Sequence, residues 1–358
     1  MDSEEYLETR VVAAKLITFV AAVFERCGMS EPDANLLADS LVDADLRGVH
    51  SHGVLRVPEY VQKLTHGGVN PRGRPTVVKD IGACLVVDAG NSMGQIGSLF
   101  SMDQAVRRAM STGIAAVAIR GSNHCGALAY IARQTLSADM IGIVTTNALP
   151  TMAPWGGAER ILGINPLAIA IPAGKEFPIV FDAAFSASSH GKIRIFHQKG
   201  LQIPDGWALD TEGRPTTDPA AAINGLLLPI GGFKGTGLAM VMGILSSMLS
   251  GASYGTELGD MERGPRPGHD GQFLLAINIG AFEDVTRFKH RVDTAIEQIH
   301  ACRLAPGFDH VYAPGEKEFL QFKTRQMEGI PLNAVTLTDL HRVSKDMGVE
   351  DFFPSALL

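Results

Sequence analysis

The sequence predicts an α/β (α+β) protein, in which a mixed-sheet domain without a Rossmann fingerprint joins a helical domain built from N- and C-terminal segments. Three observations carry that expectation. Short β-rich runs, CLVVD (84–88), AAVAIR (115–120), IGIVTTN (141–147), LAIAIP (167–172) and PIVFDAA (178–184), are interleaved with helical patterns. The first 75 residues and the segments from Glu283 on are mainly helical or irregular. The only GxG is Gly235-Thr236-Gly237, and three residues further on stands Met240, so no dinucleotide turn of the GxGxxG type is present.

Taken in order, the apolar run VVAAKLITFVAAVF (11–24) is broken by Lys15 and too short to span a bilayer. It follows Asp2, Glu4, Glu5 and Glu8, where a signal peptide needs basic residues. Val12, Leu16, Phe19 and Val23 recur at helical spacing, so an amphipathic helix is expected. Ser30 with Asp33 resembles a capping box, Pro32 suits a first turn, and Leu36, Leu37, Leu41 and Ala44 form one apolar face. Gly48 ends that helix, and a short one over 57–64 follows, stopped by Gly67, Gly68 and Pro71. Further helices are expected over 95–110, 127–136 and 235–248, the last after a loop-like region with Pro204, Pro215 and Pro219. The run FLLAINI (273–279) reads as one more strand. The chain is thus expected to divide into 1–75 with about 285–358 as the helical domain, and 76–284 as the sheet domain.

A chain of 358 residues, 46% apolar and 19% charged, can bury a large core without disulfides. Cys27, Cys84, Cys125 and Cys302 are scattered with no CxxC spacing, as expected of reduced thiols in a cytoplasmic protein. The net charge is −7 and no block of lysine and arginine occurs, so neither nucleic acid nor a membrane is expected as a partner.

The stretch RGVHSHGVLRVPEYV (47–61) concentrates hydrogen-bonding groups. Its His50 and His52 form an HxH pair, compatible with a metal only if a third ligand is near, and no HExxH or comparable spacing occurs. Ser92 sits in a literal GxSxG, but residues 88–90 separate it from the preceding strand, whereas a nucleophile elbow turns abruptly. Cys125 beside His124 is a weak thiol candidate, since adjacent residues seldom present their side chains to each other. Four glycine-flanked loops at element ends remain: GSNHCG (121–126), TNALPTMAPWGG (146–157) with INP (164–166), DAAFSASSHGK (182–192) and GGFKGTG (231–237). Each carries His, Lys or Asp or is rich in turn residues, and Lys234 at a helix start suits a phosphate or carboxylate; together they read as one composite site.

These segments, with RGVHSHGVLR, GSNHCGALAY, MAPWGG followed by GINP, IPDGWALD with PTTDP, and GGFKGTGL, resemble the malate/L-lactate dehydrogenase family that lacks the Rossmann fold, over about 36–308. The resemblance implies NAD as hydride carrier, with NADP as the alternative, a small carboxylate substrate, and a homodimer with the active site near the subunit interface. It places His124 as general acid/base and Ser51, His52 and Arg56 on substrate-contacting positions. Asp182, Ala183, Ala184 and Lys234 fall on cofactor contacts, as does the loop His269-Asp270-Gly271. Two departures stand out: Ala148 replaces a serine frequent after TN in the cofactor loop, and His269-Asp270-Gly271 replaces an Asn-x-Gly pattern.

The residues suit that chemistry on their own terms. Reducing a 2-oxo acid needs a proton donor for the developing alkoxide, which histidine supplies near neutrality. It also needs a cation for the carboxylate, which the arginine fork supplies. The expected reaction is hydride transfer between NAD(P) and C2 of a 2-hydroxy/2-oxo acid, with malate as the first substrate. Ureidoglycolate, lactate, sulfolactate or a cyclic imino acid are alternatives within the family. A serine hydrolase using Ser92 and a non-catalytic binding protein are the alternatives outside it.

Overall fold

The computed structural model describes residues 9–259 and 265–353. The four acidic residues weighed against a signal peptide, and both extreme ends of the expected helical domain, lie outside the described residues.

Strand β1 (Thr9–Val11) leads into α1 (Ala13–Arg26). Leu16, Phe19, Val20, Val23 and Phe24 are buried as the helical period demands. Val12, placed on that face by the same period, is instead the N-terminal cap and is exposed. In α2 (Glu31–Leu46) the Ser30 hydroxyl accepts the Asp33 N–H and Pro32 lies in the first turn, as expected. Two 3₁₀ turns then carry the chain into α3 (Val57–Thr65).

Strand β2 (Thr76–Ile81) is exposed at every residue and forms the sheet edge beside β3 (Cys84–Asp88). With no buried face it carries no alternation to read. Helix α4 (Gly94–Thr112) crosses from β3 to β4 (Ile114–Ser122), which pairs parallel to β3. Helix α5 (Leu128–Ala132) is shorter than the expected 127–136, because the chain tightens into a 3₁₀ segment over Arg133–Ala138. The Thr135 hydroxyl fixes that tightening by bonding the carbonyls of Ala132 and Met140.

After β5 (Met140–Thr146) come β6 (Pro150–Met152), β7 (Leu162–Gly163), β8 (Leu167–Ile171) and β9 (Ile179–Ala183). Then follow α6 (His190–Gln198), β10 (Ala208–Leu209), β11 (Pro215–Thr216), α7 (Pro219–Asn224), β12 (Leu226–Leu227) and α8 (Phe233–Ser246). Strand β13 (Asp270–Asn278), α9 (Val285–His300), α10 (Glu316–Glu328), β14 (Ile330–Leu332) and α11 (Ala334–Met347) complete the order.

The main sheet has seven strands in the order β2-β3-β4-β13-β5-β8-β9. It is mixed, as expected, with β3–β4 as its parallel pair and antiparallel pairing elsewhere. Late in the sequence, β13 enters between β4 and β5 and holds the sheet centre. Val144 of β5 joins a core with Met102 and Ala105 of α4, whereas its neighbour Thr145 meets Ser246 of α8. Side chains alternate along a strand, so α4 and α8 cover opposite faces.

The region read as loops around Pro204 and Pro215 contributes to a second, five-stranded sheet, β11-β10-β12-β6-β7, with its own core of Met152, Phe185, Ile193 and Leu227. A third core unites residues of α1, α2 and α3 with Leu340 and Val343 of α11. Helix α9 is tied differently: Asp293 accepts the backbone N–H groups of Gly174, Lys175 and Glu176 beyond β8.

Candidate active site

The segment 47–56 leaves α2 under tight constraint. Asp45, 1% exposed, lies 2.6 Å from His50 Nδ1 and accepts the Val54 N–H at 2.7 Å. Arg325 of α10 donates to His50 Nε2 at 2.7 Å, so the neutral His50 ring keeps its proton on Nδ1, toward Asp45. A side chain at Gly53 would overlap the Asp45 carboxylate, which explains glycine there. The HxH pair therefore diverges: His50 turns to Asp45 and Arg325, while His52 lines the cavities described below.

Ser51 Oγ lies 2.9 Å from His52 Nδ1. Arg56 donates from Nε to the Ser51 carbonyl at 2.7 Å and from Nη1 to Glu59 at 2.8 Å, which fixes its guanidinium plane. Burial, with the Arg56 charge beside it, lowers the His52 pKa to about 4, so this ring is neutral near pH 7.

His124 follows β4, which ends at Ser122. The Gly126 N–H donates to its Nδ1 at 3.3 Å, so the neutral ring carries its proton on Nε2. The Tyr60 hydroxyl lies 2.7 Å from the same Nδ1 and donates to it, while Gln95 Nε2 donates to Tyr60 at 3.2 Å. Gln95 Oε1 is buried and has no hydrogen-bond partner among the described residues. The His124 ring stacks on His52 with centroids 5.7 Å apart and planes 16° from parallel. Burial first, then repulsion from His52 when that ring is protonated and from the Arg56 charge, pushes the His124 pKa well below the ordinary imidazole value.

Two cavities meet at His52, and His124 lines the first of them. One, about 580 Å³, is lined by His52, Arg56, Tyr60, His124, Ala148 and Asp270, and also by the cations Lys63, Arg160 and Arg194. The other, about 520 Å³, is lined by Asp182, Ala183 and Ala184, with Arg133 and Glu318. His52, Gly126, Ile164 and Pro166 belong to both walls. Asp270 is raised to about 7 by burial, against the opposing pull of Lys63. Asp182 is reachable by water yet ringed by protein, and its pKa is raised to about 6 although its Oδ2 accepts the Ala129 N–H at 2.8 Å.

The structure thus brings His124, His52, Arg56, Ala148, Asp270, Asp182, Ala183 and Ala184 to two confluent cavities. Ser51 stands just behind, in contact with His52 and Arg56. Gly271 is buried behind Asp270, its N–H donated to Asn147, and His269 holds a left-handed backbone at φ 57°. Lys234 begins α8 on the protein surface and lines neither cavity. Ser92 is 2% exposed, its hydroxyl donates to the Met93 carbonyl, and it lines neither cavity, so it is not presented as a nucleophile. Burial pushes the Cys125 thiol up to about 12, with Asp270 adding to the shift, so no thiolate forms there near pH 7.

Sequence reasoning did not find Tyr60, Gln95, Lys63, Arg160 or Arg194. Tyr60 lay inside the quoted 47–61 stretch, but only its helical spacing was legible.

A family model described as malate/L-lactate dehydrogenase matches residues 11–341. The chain is 39% identical to malate dehydrogenase of Pyrococcus horikoshii over 97% of both chains. It is 35% identical to the NAD(+) ureidoglycolate dehydrogenase of Escherichia coli K12, over 86% of this chain and 88% of that one. Among solved structures it is similar to sulfolactate dehydrogenase from Methanocaldococcus jannaschii, with a TM-score of 0.91 and 35% identity over 96% of this chain and 99% of the other.

Proposed function

Because this chain belongs to the malate/L-lactate dehydrogenase family, we propose that it transfers a hydride between NAD, or alternatively NADP, and C2 of a small 2-hydroxy/2-oxo carboxylic acid. Malate/oxaloacetate is the leading pair, following the Pyrococcus horikoshii relative, and ureidoglycolate, lactate, sulfolactate or a cyclic imino acid are alternatives. The observation that carries the reading is the His52–His124 stack at the join of the two cavities, with Arg56 on the same wall.

The donor set fits both molecules. Lys63, Arg160 and Arg194 give one cavity the cations that a pyrophosphate or carboxylate needs, and the second cavity, which shares His52, Gly126, Ile164 and Pro166 with the first, adds about 520 Å³ to the site. The bound nicotinamide supplies or accepts the hydride. Arg56, held by Glu59 and the Ser51 carbonyl, grips the substrate carboxylate; neutral His52 orients the C2 oxygen. In reduction His124 takes up a proton from solvent, gives its Nε2 proton to that oxygen as charge develops, and is left neutral with its other proton on Nδ1, facing Tyr60. Alcohol oxidation needs a lone pair at Nε2 and hence a proton on Nδ1. Rotation of the Gln95 amide would then let its unpartnered Oε1 accept from Tyr60.

We further propose a cytoplasmic homodimer, in which 1–75 with about 285–358 supply substrate-binding residues and 76–284 hold the cofactor. Phe233, Leu238, Met240 and Val241 leave an apolar face of α8 exposed, and an interface would cover it. Mixing the protein with NADH or NADPH and a panel of 2-oxo acids, while following nicotinamide absorbance, tests the reading. Oxidation with one acid is the expected result; cofactor binding without turnover on any of the acids would overturn it.

A further inference from the structure

Outside both cavities, α9 ends at His300, α10 begins at Glu316, and His310 lies on the loop between them. These three side chains converge. Glu316 is 6% exposed. Its Oε2 lies 2.9 Å from His300 Nε2 and accepts the Ala313 N–H at 2.9 Å, and its Oε1 lies 3.1 Å from His310 Nε2. The three potential ligand atoms all lie within 4.8 Å of one another. From this geometry we propose that His300, His310 and Glu316 bind one Zn²⁺-class ion, with water completing a tetrahedron.

The donor chemistry selects that class. Two imidazoles and one carboxylate suit zinc and its borderline neighbours, whereas Ca²⁺ and Mg²⁺ take oxygen donors. With zinc–ligand bonds of about 2.0–2.2 Å, adjacent ligands of a tetrahedron stand about 3.3 Å apart. His300 and His310 face different oxygens of the Glu316 carboxylate, at 2.9 and 3.1 Å, close to that edge, so a small outward shift of each ring, with Glu316 presenting one oxygen, admits the ion. Phe177 packs near His300, and Tyr312 meets His310 edge-on at 4.3 Å, which restricts both rings. The histidine side chains remain 28% and 39% exposed, so solvent can reach the fourth position and the Nδ1–H groups. Each Nε2 proton that now faces the carboxylate moves to Nδ1, or leaves from an imidazolium, as its lone pair turns to the metal. The Lys317 ammonium sits 4.5 Å from the Tyr312 ring centre, a neighbouring positive charge that tempers affinity.

The ion would clip the end of α9 to the start of α10. Pro314 and Gly315, beside Glu316, line the cavity that holds Asp182, and the Pro314 carbonyl accepts the Val180 N–H of β9. Metal binding would thereby fasten one wall of that cavity.

The test is titration of chelator-stripped full-length protein with Zn²⁺ and Co²⁺, beside the His300→Ala/His310→Ala double variant and His310→Gln alone. One more equivalent of Zn²⁺ should bind to the wild type than to the double variant, with a rise in Tm that the double variant lacks. Co²⁺ should give the visible bands of a tetrahedral site without sulfur charge transfer, which excludes Cys84 and Cys302 as the source. His310→Gln, altered at the more exposed histidine, should bind Zn²⁺ at least tenfold more weakly, and it decides the matter if the double variant does not fold. Equal Zn²⁺ binding by the wild type and either variant, or no binding by the wild type, overturns the proposal and leaves a hydrogen-bonded triad.

Discussion

Tyr60 places its hydroxyl 2.7 Å from His124 Nδ1, joining a helix of the N-terminal core to the loop after β4. His124→Ala should lower kcat by about 10²–10⁴-fold, because the proton donor is lost. Tyr60→Phe keeps the ring that packs beside Phe24 but removes the hydroxyl, so kcat should fall about tenfold with little change in KM. Steady-state kinetics on both variants checks this; an unchanged kcat in Tyr60→Phe would detach Gln95 and Tyr60 from the proton transfer.

Arg56→Lys preserves charge but not the planar fork. Its Nε and Nη1 bonds to Ser51 and Glu59 hold the wild-type plane, and an ammonium cannot repeat that arrangement. KM for the acid should rise by about tenfold or more, corresponding to a lost charge-assisted hydrogen bond. A KM unchanged within error rules out Arg56 as the carboxylate clamp.

Asp270 stays protonated up to about pH 7 in the folded protein, whereas an unfolded aspartate ionises near about 3.9. Between those values the folded state binds the extra proton. This group's stabilising contribution is therefore full below the unfolded value and is lost as pH rises through about 7. Asp270→Asn should remove that loss, so Tm of the variant relative to wild type should climb between about pH 5 and about pH 8. Asp182 titrates in both proteins and cancels in the difference. Parallel Tm–pH curves would contradict the assignment.

Gly53→Ala should destabilise the fold by about 1–3 kcal/mol, since the new methyl and the Asp45 carboxylate compete for one space. Denaturant unfolding measures this. Because the His52 loop moves with Gly53, kcat/KM should fall in the same variant at temperatures where it remains folded.

The strands of the main sheet were legible wherever one face is buried, and the loop carrying His124, the proposed proton donor, was legible as a glycine-flanked turn at a strand end. Strand β2 escaped because all its residues are exposed. The small sheet escaped because β7, β10, β11 and β12 have two residues each, too few for a period. Tyr60 meets His124, and Glu316 meets His300 and His310, through folding alone; each is locally an ordinary helical residue. His50 and His52 look equivalent in the sequence, and only Asp45 and Arg325 separate their roles.

The hold of α10 on segment 47–56 bears on transplantation. Arg325 grips His50, Phe322 lies under Arg47, and Phe319 of the same helix lines a cavity. The histidine loop is therefore not a portable cassette. Grafted alone into a relative, it would arrive without its clamp, so exchanging substrate preference between such enzymes means moving α10 together with the loop.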